Sequence, residues 1–229
     1  MRGIKIIFND EEIHTGNDLD LVQEEKKIEK PKIQSHTVEV PGRNGLLNLT
    51  KGLTGRVMYY NRTLSFRYFG TGARSRLLEL DTLLSRYHGQ TIRIVDDDYP
   101  DHYYEGEASV ETELKGNYII ISLTVDAQPF RLKTEPTVYE MDVDHDDTTP
   151  LSVTLLNEDI DAIPIIEVGV VPGLPEDDDY EATIVYGDFQ VTLSKGVYSS
   201  EKITLHRGTN TIKLYGFAYV TFTYQEGAI

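Results

Sequence analysis

The sequence predicts a β-rich, nearly all-β fold with one α-helix, divided into two domains. The first is a β-sandwich or barrel-like domain over residues 1–133, which carries the helix. The second is a β-sandwich over 134–229. Three observations predict this. Apolar and polar residues alternate with a period of two in many short runs, as in Leu64, Phe66 and Tyr68 against Thr63, Ser65 and Arg67. A helical period is confined to 73–87, where Leu77, Leu80, Leu84 and Tyr87 are spaced 3, 4 and 3. Charge also changes along the chain: residues 1–133 hold 18 Lys+Arg against 20 Asp+Glu, whereas 134–229 hold 4 against 18.

In chain order, 3–8 (GIKIIF) is a short strand stopped by Asn9-Asp10. The polar stretch 11–30 is expected to be a loop or edge strand, and Pro31 prevents a helix from running through it. A strand at 37–40 meets a forced turn, because Pro41 fixes its own φ while Gly42 and Gly45 permit φ > 0. A strand-like piece at 46–49 follows, then a Gly-Leu-Thr-Gly break at 52–55, then a strand over 56–68. Thr71-Gly72 opens the helix and Gly89 closes it; Leu78 and Leu83 widen its apolar face. At roughly 22 Å it should lie across one face of a sheet. A strand at 91–95 leads into an acidic loop at 96–102. Runs 103–113 and 118–126 then form a hairpin around Gly116-Asn117, a pair suited to a type II′ turn. Beyond 134, strand-like runs recur at 138–143, 151–156, 163–171, 182–186, 189–193, 202–205, 211–215 and 219–224, with Gly196 and Gly216 among the separating turn residues. Many short strands joined by turns indicate a sandwich or jelly roll.

Composition removes several function classes. No run approaches the ~18–20 apolar residues of a spanning helix, so no membrane partner is expected. The segment MRGIKIIFNDEE does not have the pattern of a secretory signal. With no cysteine, disulfides, thiolate metal sites and cysteine nucleophiles are excluded. A formal net charge of -16 suits neither sequence-independent phosphate contacts nor a nucleic-acid function; solubility explains it more simply.

Chemical machinery is hard to find. Three acidic runs could hold Ca²⁺: Asp96-Asp97-Asp98 with Asp101, the run 142–147, and Asp177-Asp178-Asp179. The first places Glu107 eleven residues after Asp96, as an EF-hand loop would. It has Asp101 where that loop needs glycine, and Pro100 at a ligand position. The histidines are scattered, and the pairs His36/Glu39 and His102/Glu105 sit at strand starts, where a separation of three points side chains to opposite faces. Gly70-Thr71-Gly72-Ala73-Arg74-Ser75 superficially matches a dinucleotide fingerprint but lacks the third glycine, and no βαβ alternation follows. No G-x-S-x-G elbow occurs. We therefore expect no catalytic residue, metal or cofactor. A sugar site would need flat aromatic faces; there is no Trp, but Tyr180, Tyr186, Tyr198 and Tyr215 are available.

Two segments carry a family resemblance. Val40-Pro41-Gly42-Arg43-Asn44-Gly45-Leu46-Leu47-Asn48-Leu49-Thr50 is similar to a VPGRxGxLDLT segment, with Asn48 in place of the usual acid. Asn61-Arg62-Thr63-Leu64-Ser65-Phe66-Arg67-Tyr68 is similar to an NRxLxFxF strand. Both recur in the distal tail proteins of long, flexible-tailed bacteriophages or prophages of Gram-positive bacteria. Tyr103-Tyr104-Glu105-Gly106 and Asp126-Ala127-Gln128-Pro129-Phe130 resemble the end of that family's N-terminal domain. Ala162-Ile163-Pro164-Ile165-Ile166 and Asn210-Thr211-Ile212 resemble strands of its galectin-like C-terminal sandwich.

The resemblance implies a structural virion protein, made in the host cytoplasm, with no enzymatic activity. Six copies form a hub ring in which the N-terminal domain makes the ring and the C-terminal sandwich projects. Its partners are other copies of itself, the tail tube protein, the tail-tip or tail-associated lysin protein, and a receptor-binding protein. Candidate subunit-interface and structural-turn residues are Pro41, Gly42, Arg43, Gly45, Asn61 and Arg62, with 56–68 as an edge strand able to pair across subunits. The competing expectation is a carbohydrate-binding adhesion module that recognises host cell-wall polysaccharide.

Overall fold

The computed structural model describes residues 3–35, 37–39, 47–48, 58–145, 149–175 and 179–229. The chain forms two units, Met1–Arg131 with Ile229, and Leu132–Ala228.

In the first unit the elements are β1 (Ile4–Phe8), β2 (Glu11–His14), β3 (Val22–Ile28), β4 (Thr37–Val38), β5 (Leu47–Asn48), β6 (Arg62–Thr71), α1 (Arg74–Ser85), β7 (Thr91–Asp96), β8 (Tyr99–Lys115) and β9 (Tyr118–Ala127). β4 and β5 pair with each other. The main sheet runs β2-β1-β7-β8-β9-β6-β3, antiparallel at every step. The antiparallel pattern excludes the parallel crossover that a dinucleotide site at 70–75 would need.

Alternation puts Leu64, Phe66 and Tyr68 of β6 and Ile119, Ile121, Leu123 and Val125 of β9 into one core. α1 closes over that core with Leu77, Leu80 and Leu84, each contributing roughly 1.5–3 kcal/mol on burial. Tyr87, just beyond α1, meets Phe8 edge-on at 5.8 Å. Leu78 does not widen the apolar face: it is 46% exposed, because it lies about 100° around the helix from Leu77. At the β8–β9 turn Gly116 has φ 56 while Asn117 is not among the positive-φ residues, as a type II′ turn requires.

The sheet is strongly curled. Four strand steps separate β7 from β3, about 19 Å if flat, more than the two side chains could bridge. Yet Lys26 Nζ of β3 lies 2.5 Å from Asp96 Oδ2 at the end of β7. The unit is thus barrel-like, as expected.

Stretch 11–30, expected to be a loop or edge strand, supplies both edge strands of the sheet, β2 and β3. Two expectations for this unit need correction. Of the strand expected over 56–68, positions 56 and 57 lie outside the described residues and β6 begins at Arg62; before it, Tyr59 makes a single bridge to Ile33. The expected loop at 96–102 is a tight turn at Asp97-Asp98, with β8 already under way at Tyr99. Side-chain oxygens make that turn possible: Asp96 Oδ1 accepts the Asp98 N–H at 3.1 Å, and Asp97 Oδ2 accepts the Gly3 N–H at 2.8 Å.

β10 (Arg131–Lys133) spans the boundary between the units in the chain, and the second unit takes up β11 (Thr137–His145), β12 (Leu151–Asn157), β13 (Ile165–Gly169), β14 (Glu181–Tyr186), β15 (Phe189–Ser194), β16 (Gly196–Ser199), β17 (Gly208–Tyr224) and β18 (Gly227–Ala228). β17 is one strand of 17 residues where two strands broken at Gly216 are expected. Its first half lies between β12 and β14, and its second half between β11 and β13. β15 extends the first leaf and β16 the second. Inward residues of both leaves, among them Ile184, Ile212 and Leu214 in one and Ile166, Val220 and Phe222 in the other, share one core. This is a β-sandwich with a common central strand.

Gly216 marks the change of leaf. Its φ is +105, and a Cβ there would lie 2.3 Å from the Glu181 carbonyl oxygen, so both conformation and space require glycine. The strand expected at 202–205 is instead a turn closed by the Ile203 N–H to the Ser200 carbonyl, with a single bridge from Leu205 to Ala162.

Candidate assembly surfaces

Among the expected interface residues, Pro41, Gly42, Arg43 and Gly45 lie outside the described residues. Asn61 is exposed just before β6, and Arg62 begins that strand. Arg62 is 5% exposed. Its guanidinium carbon sits 5.4 Å from the centre of the Tyr104 ring, and its Nε and Nη2 have no hydrogen-bond partner. Burial pushes the guanidinium below its ordinary pKa; Tyr104 opposes that shift and the nearby Arg131 adds to it. Arg62 is therefore an interior cation held over an aromatic face, not a surface contact.

β6 is not an edge. It lies between β9 and β3, with both backbone sides paired over most of its length. Pairing across subunits through 56–68 is therefore unavailable to β6. The alternating pattern identified a strand, but alternation does not tell an interior strand from an edge when the interior strand has one solvent-facing side.

The main sheet's edges are β2 and β3. β3 carries Glu24, Glu25, Lys26 and Lys27 and a register shift between Gln23 and Glu25, both features that discourage strand addition. Lys26 turns inward instead, to Asp96 and to Asp98 at 2.6 Å. Burial disfavours its charge, but the two carboxylates outweigh that and hold the ammonium above its ordinary pKa.

That pairing also decides the first acidic run, since the buried Asp96 carboxylate already has a resident cation. In the second run, Asp142 and Asp144 lie on the solvent side of β11, and 146–147 fall outside the described residues. In the third, only Asp179 is described. Among the described residues no three acidic, histidine or cysteine side chains gather as metal ligands.

Of the four tyrosines considered for sugar stacking, three are used internally. Tyr180 is buried and donates to the Pro175 carbonyl. Tyr186 donates to the Thr204 carbonyl and to Asn210 Oδ1. Tyr198 packs on the core and donates to the Ser194 carbonyl. Tyr215 alone faces outward, half-buried, beside Thr183.

Gly106 explains one quoted motif. It lies opposite both Ala127 and Ile92, and a Cβ there would sit 2.3 Å from the Asp126 carbonyl oxygen. Nothing larger fits at the crossing of β7, β8 and β9.

No protein-family model matches the chain, and no curated protein matches it. Its fold is similar to that of the SPP1 Dit protein (gp 19.1), described as a paradigm of the hub adsorption apparatus in Gram-positive infecting phages. The TM-score is 0.65 at 15% identity, and the match covers 99% of each chain. At that identity the likeness is one of fold.

Proposed function

We propose that this chain is the distal tail hub protein of a phage or prophage of a Gram-positive bacterium. It acts in the virion as a structural part with no catalytic role. The observation that carries the reading is the fold likeness to SPP1 Dit over 99% of both chains. The segments at 40–50 and 61–68 support it independently, since they are sequence motifs and the likeness is one of shape.

On this reading six copies close into a ring through the first unit. The ring joins the tail tube to the tail-tip or tail-associated lysin protein and, through these, to host-adhesion parts. Closure needs two different surfaces per copy that meet head to tail. With β6 interior and β3 charged, those surfaces are made by side-chain contacts in place of strand addition along β6. The adhesion alternative has less support, because Tyr180, Tyr186 and Tyr198 are committed internally.

Light scattering of the purified chain, alone and mixed with its tail tube protein, tests the reading. A particle of six 26.0 kDa copies is expected in at least one of the two conditions. A monomer in both would overturn it. Submillimolar binding to host wall polysaccharide on a glycan array, by a chain that forms no ring, would favour the adhesion alternative.

A further inference from the structure

The two leaves of the second unit present outer faces that differ in charge. On the leaf containing β12, β14 and β15, the outward residues are largely hydroxyl-bearing, including Thr154, Thr183, Thr192 and Thr211, with Lys213, Glu181 and the exposed Leu156 among them. On the leaf containing β11, β13 and β16, acids and aliphatics sit side by side, with Thr and Ser between them. One cross-strand row reads Val138, Thr223, Ile165, Ser199, and the next reads Glu140, Thr221, Glu167, Val197. Asp142 and Asp144 continue the acidic column along β11. Val138, Ile165 and Val197 are 49%, 50% and 66% exposed. Among the described residues this face carries no Lys or Arg.

We propose that this face docks a protein surface that presents cationic and aliphatic side chains together. Half-exposed β-branched residues gain from being covered, and a column of carboxylates with no described cation on the face makes a potential of one sign, although the Tyr219 hydroxyl already donates to Glu140 at 2.9 Å. Only a partner that supplies both features answers both. A nucleic acid or an anionic membrane is repelled by the charge. A second copy meeting the same face would bring the same charge to it. The face spans three strand steps of about 4.8 Å and, from Val138 to Asp144, six residue steps of β11 at about 3.4 Å, roughly 300 Å² when flat. That is well under the ~800 Å² each partner gives to a stable interface, so a single contact is weak. The inference goes beyond the hub reading and does not depend on it.

The test titrates the isotope-labelled full chain with two peptides, RVRVRV and RGRGRG, at about 0.15 M salt, following backbone amide shifts. Saturable binding of RVRVRV is expected, with shifts confined to β11, β13, β16 and residues 216–224. It should bind about fivefold more tightly than the glycine peptide, the difference the aliphatic contacts supply. Ile165→Ser and Glu167→Lys, both at exposed positions and checked by thermal melting, should each weaken RVRVRV about threefold or more. Thr192→Val on the opposite leaf should leave it unchanged. Equal affinities for the two peptides, shifts spread over both leaves, or no saturable binding would each overturn the proposal.

Discussion

Replacing Arg62 with methionine should stabilise the first unit. The guanidinium is 5% exposed, and two of its nitrogens have no acceptor. A buried donor left unpaired costs about 1–3 kcal/mol. The Tyr104 ring at 5.4 Å returns about 0.5–2 kcal/mol. Methionine keeps an apolar stem of similar length in the same space. The balance favours Arg62→Met by about 1–2 kcal/mol, within the range seen when buried ions are replaced by apolar groups. Calorimetry should show the first unit's transition rising by about 3–8 °C.

The gain should not vary between pH 5 and 9. Burial depresses the folded-state pKa of Arg62, so its charge costs stability at every pH where both folded and unfolded states remain protonated. Only as pH rises through the depressed value is that cost relieved. Arg62→Lys keeps a charge in the same place and gives up the planar contact with Tyr104, so it should not stabilise. A fall in melting temperature for Arg62→Met, with Arg62→Lys unchanged, would show that the buried cation is net stabilising where it sits and refute the reasoning.

Two further outcomes are expected. Gly216→Ala combines a φ of +105 with a Cβ 2.3 Å from the Glu181 carbonyl oxygen; strain of about 1–2 kcal/mol plus displacement of β14 should lower the urea midpoint of the second unit, and an unchanged midpoint would show that β17 can bend there without glycine. Burial raises the pKa of Tyr68 and Tyr224 above the ordinary 10.0, so their contribution to stability is full below that value and lost as pH rises through the raised pKa values. Tyrosinate absorbance should therefore show these two rings ionising together with loss of β-sheet circular dichroism; titration of every ring near pH 10 with the fold intact would contradict this.

Much of the architecture is legible in residue order. Period-two alternation located β6 and β9, and the 3, 4, 3 spacing located α1, because each element buries one face on a single core. What the sequence hides depends on distant partners. Lys26 lies 70 positions from Asp96, and without that pairing Asp96-Asp97-Asp98 looks like a solvated loop. Gly216 looks like a break because glycine usually ends strands, and only its proximity to Glu181 reveals a strand changing leaf. For the candidate surfaces, the run Val138, Glu140, Asp142, Asp144 announces an outward column. That Ile165, Glu167 and Val197 share its face is set by the register of β13 on β17, which no local pattern encodes. Arg62 was legible as a motif residue, but its interior position was not.

The shared strand β17 constrains how this unit can be cut or enlarged. It carries ladders to β11, β12, β13 and β14, so a nick near its midpoint would loosen both halves of the sandwich together. Added chain at the Gly187-Asp188 tip would extend the turn of the β14–β15 hairpin and leave the β17 ladders intact. New modules can be grafted at the rim of this domain, while its axis admits none.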